Sequence, residues 1–125
     1  MSGETNTGAV SLTHDGTALG QYLRVTWSGT ALALAGATDR EAGTLEDPVL
    51  SGALVASVLP MGIAPRRKFI ASQAIAKGAA VYPGASGKVT DVQAGTTDLI
   101  GWATEAVSGD GSVVDVLHHN SRIMS

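Results

Sequence analysis

The chain contains no cysteine among its 125 residues. That excludes disulfide staples, a thiolate nucleophile and a cysteine-ligated metal centre. Aromatic residues make up only 4% of the sequence, so the core has to be assembled from Val, Leu, Ile and Ala rather than from large ring anchors. Lys and Arg number 8 against 11 Asp and Glu, a net charge of −3. This balance argues against a nucleic-acid partner, which needs a concentrated basic face. No apolar run reaches the ~20 residues of a membrane-crossing helix, so no membrane partner is expected. The opening residues MSGETNTG are polar and lack a basic n-region, so no secretory signal is expected either.

What the sequence does hold is 44% hydrophobic residues and 16 glycines. Many of the glycines fall between short apolar runs, which is the punctuation of turns linking strands. Residues 1–20 are rich in Gly, Thr and Ser and show no sustained period. They read as an extended arm outside the body, with Val10, Leu12 and Leu19 as its candidate contact residues. Residues 21–125 then form a single domain.

Strand signals begin at residues 21–27, where Leu23, Val25 and Trp27 alternate with Tyr22, Arg24 and Thr26. Ser28-Gly29 reads as a hairpin turn, and residues 30–35 as the returning strand. Residues 36–48 carry Asp39, Arg40, Glu41, Glu46 and Asp47 and read as a long charged loop or a poor edge strand. An apolar run at 49–59 ends at Pro60, and a connector leads to the basic triplet Arg66, Arg67 and Lys68. Residues 71–76 fit either a short helix or irregular chain. Strands follow at 79–82, 88–92, 99–106 and 113–117, with turns at 83–87, 95–98 and 108–112. Residues 118–125 read as a polar tail. No solenoid period and no domain linker is visible. Turn signals near every tenth residue predict a mainly β fold, a small β-barrel or β-sandwich of roughly seven or eight strands with at most one short helix.

Motifs for chemistry are missing. His118 and His119 are adjacent and would point to opposite faces of a strand. His14 has no metal-ligand partner in sequence, and there is no HExxH string. No G-x-S-x-G elbow occurs; the nearest string, Gly84-Ala85-Ser86-Gly87, reads better as a hairpin turn. No G-x-G-x-x-G follows a strand into a helix. The expectation is a protein that is not an enzyme, with no cofactor and no metal. Trp27 and Trp102 fit either a core plug or an interface anchor, and the shortage of aromatics favours the core.

The segment from Lys68 to Leu117 resembles the capsid cement, or decoration, proteins of tailed bacteriophages. The features that carry this are AIAKGAAVY at residues 74–82, GKVT at 87–90 and LIGWATEAVSGDGSVVDVL at 99–117. The resemblance implies a structural virion protein made in the bacterial host cytoplasm. It would sit on the outer surface of an expanded phage head and bridge neighbouring subunits of the major capsid protein. It also implies a homo-oligomer, a trimer in preference to a dimer. In a cyclic oligomer each subunit presents two different surfaces. The acidic loop (Asp39, Glu41, Glu46, Asp47) of one subunit is therefore expected to face the basic triplet (Arg66, Arg67, Lys68) of the next. The alternative function is a glycan- or surface-binding β-module using Tyr22, Trp27, Phe69, Tyr82 and Trp102; a small β-barrel hydrolase is the weakest reading.

Overall fold

The computed structural model describes residues 10–60, 66–93, 95 and 97–118. Within them lie ten strands: β1 Val10–Thr13, β2 Arg24–Ser28, β3 Ala31–Leu34, β4 Gly43–Leu45, β5 Val55–Pro60, β6 Arg66–Ile70, β7 Ala80–Pro83, β8 Val89–Thr90, β9 Gly101–Ala103 and β10 Val113–His118. The helical element among the described residues is one 3-10 turn at Ala85–Gly87. The chain is mainly β, in two antiparallel five-stranded sheets ordered β1-β5-β4-β2-β3 and β6-β10-β9-β7-β8.

Counted within its own half of the chain, each sheet has the same strand order. The agreement extends to individual hydrogen bonds. Ala42 N–H donates to the Val25 carbonyl as Ile100 N–H donates to Val81; Leu45 donates to Leu23 as Ala103 does to Ala79; Glu46 donates to Ser57 as Thr104 does to Asp115. The antiparallel bridge Leu19↔Val49 recurs as Ile75↔Val107, and the parallel bridge His14↔Leu32 as Ala71↔Val89. Gly43 faces Val25 and Pro60 as Gly101 faces Val81 and His118. The ladders of residues 42–49 and 55–60 thus match those of residues 100–107 and 113–118 at one spacing, with the turn between them set one residue later in the second unit, and β1 matches β6 with Val10 at the place of Arg67 and Leu12 at that of Phe69. The protein is two copies of one structural unit in tandem. The sequence had suggested no repeat. The reason is physical: the matched core positions hold interchangeable aliphatics, and the β2–β3 connection is one residue shorter than β7–β8 between the equivalent pairs Trp27↔Leu32 and Pro83↔Val89.

Each repeat has its own core. Val25, Leu32, Leu45, Val49, Ala56 and Val58 cluster in the first. Phe69, Ala71, Ile75, Val81, Val89, Ile100, Ala103, Val114 and Val116 cluster in the second. Burying each aliphatic of this size contributes about 1.5–3 kcal/mol. The glycine on the fourth strand of each unit is a packing necessity. A Cβ on Gly101 would fall inside contact distance of the Leu117 carbonyl, and one on Gly43 inside that of Leu59.

Several expectations change here. Residues 10–20 are not an arm. β1 pairs with β5 from Val10↔Val58 to Thr13↔Val55, and Leu12 and Leu19 pack on the first core. Residues 1–9 lie outside the described residues. Residues 71–76 form no helix, because Ala71 and Ile75 are both held in bridges. His118 is not tail: it ends β10 and is buried. Trp27 and Trp102 are 48% and 41% exposed, since aliphatics and Phe69 already fill the two cores.

Candidate functional site: the seam between the repeats

The surface where the two repeats meet is polar, and two arginines cross it in opposite directions. Arg24 alternates with core-facing Val25 on β2, so its side chain leaves the first sheet on the outer face. It crosses to the β7–β8 turn, where Nε donates to the Lys88 carbonyl (3.2 Å) and Nη2 to that of Gly84 (2.5 Å). Nη2 also lies 3.4 Å from the Gly36 carbonyl. Arg67 on β6 crosses the other way. Its Nη1 donates to Thr44 Oγ1 (3.3 Å) and toward the Leu59 carbonyl (3.5 Å), and its Nη2 lies 2.5 Å from Glu41 Oε2. That last contact meets no hydrogen-bond geometry, so it is an ion contact rather than an aligned bond.

Within its own repeat, Arg67 donates from Nε to His118 Nε2 at 2.8 Å and lies over the Phe69 ring, 4.7 Å from its centroid. His118 accepts at Nε2, which fixes the proton of the neutral ring on Nδ1. A backbone bond from Gly87 N–H to the Ala35 carbonyl (2.7 Å) closes the seam. Gly87 has φ +73°, and a Cβ there would strike Leu34 and the Arg24 backbone; only glycine fits that approach.

Both guanidiniums are fully buried. Burial pushes Arg24 below the ordinary arginine range. Glu41 opposes that shift, Arg67 adds to it, and Asp39 opposes it. Glu41, in contact with Arg67, and Asp39, a weaker influence on Arg24, are the carboxylates that act on the two seam cations. Arg24 Nη1 has no hydrogen-bond partner among the described residues. Such a group costs about 1–3 kcal/mol. A buried ionic seam of this kind favours one docking geometry over others more than it adds raw stability.

A cavity of about 710 Å³ opens beside the seam. Its walls include Arg24, Asp39, Arg40, Glu41, Pro83 and Asp98. Its charged groups are partly engaged already: Asp39 Oδ2 accepts from Gly36 N–H at 2.7 Å and Glu41 holds Arg67. Among the described residues no group of three His, Asp or Glu side chains is placed to hold a metal ion. No helix of the described residues is long and apolar enough to cross a membrane.

The residues singled out from sequence scatter. Arg67 and Glu41 do meet, but within one chain, and both are buried there; they are withdrawn as subunit contacts. Arg66 is spent on Asp115, with Nε donating to Oδ2 at 2.8 Å, and Thr104 Oγ1 donates to the same oxygen at 2.9 Å. Asp39, Asp47 and Lys68 are exposed and Glu46 is half-buried. Of the arm residues, Val10 is 42% exposed, while Leu12 and Leu19 point inward. Sequence reasoning passed over Arg24, Thr44 and His118. A lone charge in a short apolar strand was the available signal at Arg24.

This is a mainly β protein of two tandem five-stranded antiparallel repeats held by a buried arginine seam. A solved structure shares that fold: the N base of the head fiber gp8.5 of bacteriophage phi29, with a TM-score of 0.70 and 19% identity, covering 90% of this chain and 96% of that one. At this identity the likeness is one of fold. No protein-family model matches the chain, and no curated protein matches it.

Proposed function

We propose that this protein is a structural component of a tailed-phage virion, one that decorates the outer surface of the expanded head and bridges neighbouring subunits of the major capsid protein, with no catalytic step and no cofactor. The observation that carries this reading is the fold shared along nearly the whole length of both chains with the base of a phage head fiber. The resemblance of residues 68–117 to capsid cement proteins supports it independently. Two similar units joined by a rigid seam suit a bridging role, because each chain can offer related surfaces to two adjacent capsid subunits. A closed homo-oligomer, a trimer in our reading, multiplies weak contacts into a firm attachment.

The apolar surface outside the seam points to where the capsid is touched. Leu50, Leu54 and Val55 at the start of β5 are 75%, 68% and 59% exposed. The second repeat spans a connection of equal length with its turn set one residue later, closed by Ser112 N–H to the Gly109 carbonyl where the first has Ala53 N–H to that of Leu50, and it carries Ser108 and Ser112 in place of exposed leucines. We assign this end of the first repeat to the capsid contact.

The test is to mix expanded heads lacking the protein with the purified chain and to sediment them. Saturable co-sedimentation, reduced by Leu50→Ser with Leu54→Ser, is the expected result. No binding at about 10 μM, well above the affinity that a specific contact needs, would contradict the proposal.

A further inference from the structure

The seam leaves one of its cations without a direct counter-ion. The Arg24 guanidinium is fully buried, and the groups that accept from it are main-chain carbonyls, those of Lys88, Gly84 and Gly36. Among the described residues no carboxylate lies within ion-pair distance of it. Glu41 is in contact with Arg67, and Asp39 Oδ2 accepts from Gly36 N–H. Burying a charge without an ionic partner is unfavourable. The repeat fold does not demand a cation at this station, because the second repeat holds Ala80 there.

Arg24 stands in the wall of the cavity of about 710 Å³ beside the seam. Its Nη1, which carries two N–H donors, makes no hydrogen bond among the described residues. The same wall holds a second orphan. Thr97 Oγ1 is buried with no partner among the described residues, although the Thr97 carbonyl accepts from Gln93 Nε2 at 2.7 Å. Both repeats contribute to this wall: Arg24 and Asp39 come from the first, Thr97, Asp98, Leu99 and Ile100 from the second. Buried polar atoms ordinarily have partners. Two that lack them, in the wall of one cavity of small-molecule size, mark a place that a ligand completes.

The charges in the wall narrow the ligand. Arg24 calls for an anionic acceptor. Asp39 and Asp98 are both exposed, and they oppose a second negative charge while offering acceptors to hydroxyl donors. A multiply charged anion such as phosphate is therefore disfavoured, and a monoanion that carries hydroxyls is favoured. Leu99 and Ile100 give its carbon skeleton an apolar surface to lie on.

We propose that this cavity binds a small hydroxylated carboxylate of the sugar-acid class, its carboxylate paired with Arg24 and hydrogen-bonded by Thr97 Oγ1, its hydroxyls donating to Asp98. The ligand would touch both repeats at once, so its binding also holds them together and raises the melting temperature of the chain.

The proposal is independent of head binding and is tested without heads. The purified full chain is titrated with D-glucuronate and followed by NMR at the Arg24 Nε–H and at the Thr97, Asp98 and Ile100 amides. Saturable shifts with a Kd at or below about 1 mM are expected. Glucose, which lacks the carboxylate, and acetate, which lacks the hydroxyls, should each bind at least about tenfold more weakly. Thr97→Val and Asp98→Ala should each weaken glucuronate by about threefold or more without lowering the melting temperature of the ligand-free chain. Arg24→Gln should abolish binding; it also cuts the seam, so if that variant does not fold the other two decide. No saturable shift at about 20 mM glucuronate, far above the expected Kd, would overturn the proposal. So would glucose or phosphate binding as tightly as glucuronate, or glucuronate binding indifferent to both Thr97→Val and Asp98→Ala.

Discussion

The two repeats share a backbone and differ in what they place on it. The first carries a charged outer face at Arg24, Glu41 and Thr44, and the second carries Ala80, Leu99 and Trp102 at the same stations. The first presents Leu50 and Leu54 where the second presents Ser108 and Ser112. The cores, by contrast, exchange one aliphatic for another, and Val25, Gly43, Val49, Val58 and Leu59 recur unchanged as Val81, Gly101, Val107, Val116 and Leu117. Matched positions that stay alike are those that make the fold. At the seam the matched positions that change character, Arg24 and Ala80 or Arg67 and Val10, are those at which one member reaches the other repeat, and each repeat acts as the other's control.

That comparison breaks most visibly at the seam. Arg67→Ala leaves Glu41 buried and unpaired, and should cost about 3–5 kcal/mol in urea unfolding. Val10→Ala, at the equivalent station of the first repeat, should cost under about 1 kcal/mol in the isolated chain. Equal costs would mean that the seam is not what distinguishes the two sites. Next in size, Gly101→Ala and Gly43→Ala each drive a Cβ into a neighbouring carbonyl and should lose about 1–3 kcal/mol apiece; a marked inequality between them would show that the two units do not pack alike.

Leu50→Ser and Leu54→Ser copy the second repeat into the first. Thermal unfolding should move by no more than about 0.5 kcal/mol, and a large loss would return these leucines to the fold. The smallest effect belongs to Asp15, whose carboxyl accepts from the Thr17 N–H at 3.0 Å. That bond and the Thr17 hydroxyl hold its pKa below the usual 3.8. Its folded pKa lies below the unfolded one, so its contribution is present above the unfolded value and fades as the pH falls through the folded value. Asp15→Asn should therefore slightly flatten the acid limb of a stability–pH curve below about pH 4, leaving neutral pH untouched.

Much of the fold was legible because short aliphatic strands between glycines carry a period of two. The alternation of Leu23, Val25 and Trp27 with Arg24 and Thr26 placed β2, and the series after Lys68 placed β7 to β10 to within a few residues, whereas β6 was hidden in the basic triplet Arg66, Arg67 and Lys68. The division of the chain was not legible. Composition made residues 10–20 look like an arm, yet Val10–Thr13 needs little apolar surface of its own because β5 supplies the ladder. Duplication was hidden because aliphatics interchange freely in a core, while Arg24 and Ala80 occupy one station with opposite character. The arginine seam was hidden for a related reason. Charges spaced far along the chain, such as Glu41 and Arg67, read as a contact between subunits until the second repeat folds over the first and brings them together within one chain.

The claim that the two-repeat body is a head-binding unit is met most directly by electron microscopy of expanded heads saturated with this protein. The account predicts ordered density on the outer surface, with each chain resolved as two similar lobes that span the boundary between neighbouring capsid subunits. Heads that gain no ordered density at saturating protein, or lobes that each rest within a single capsid subunit, would contradict it.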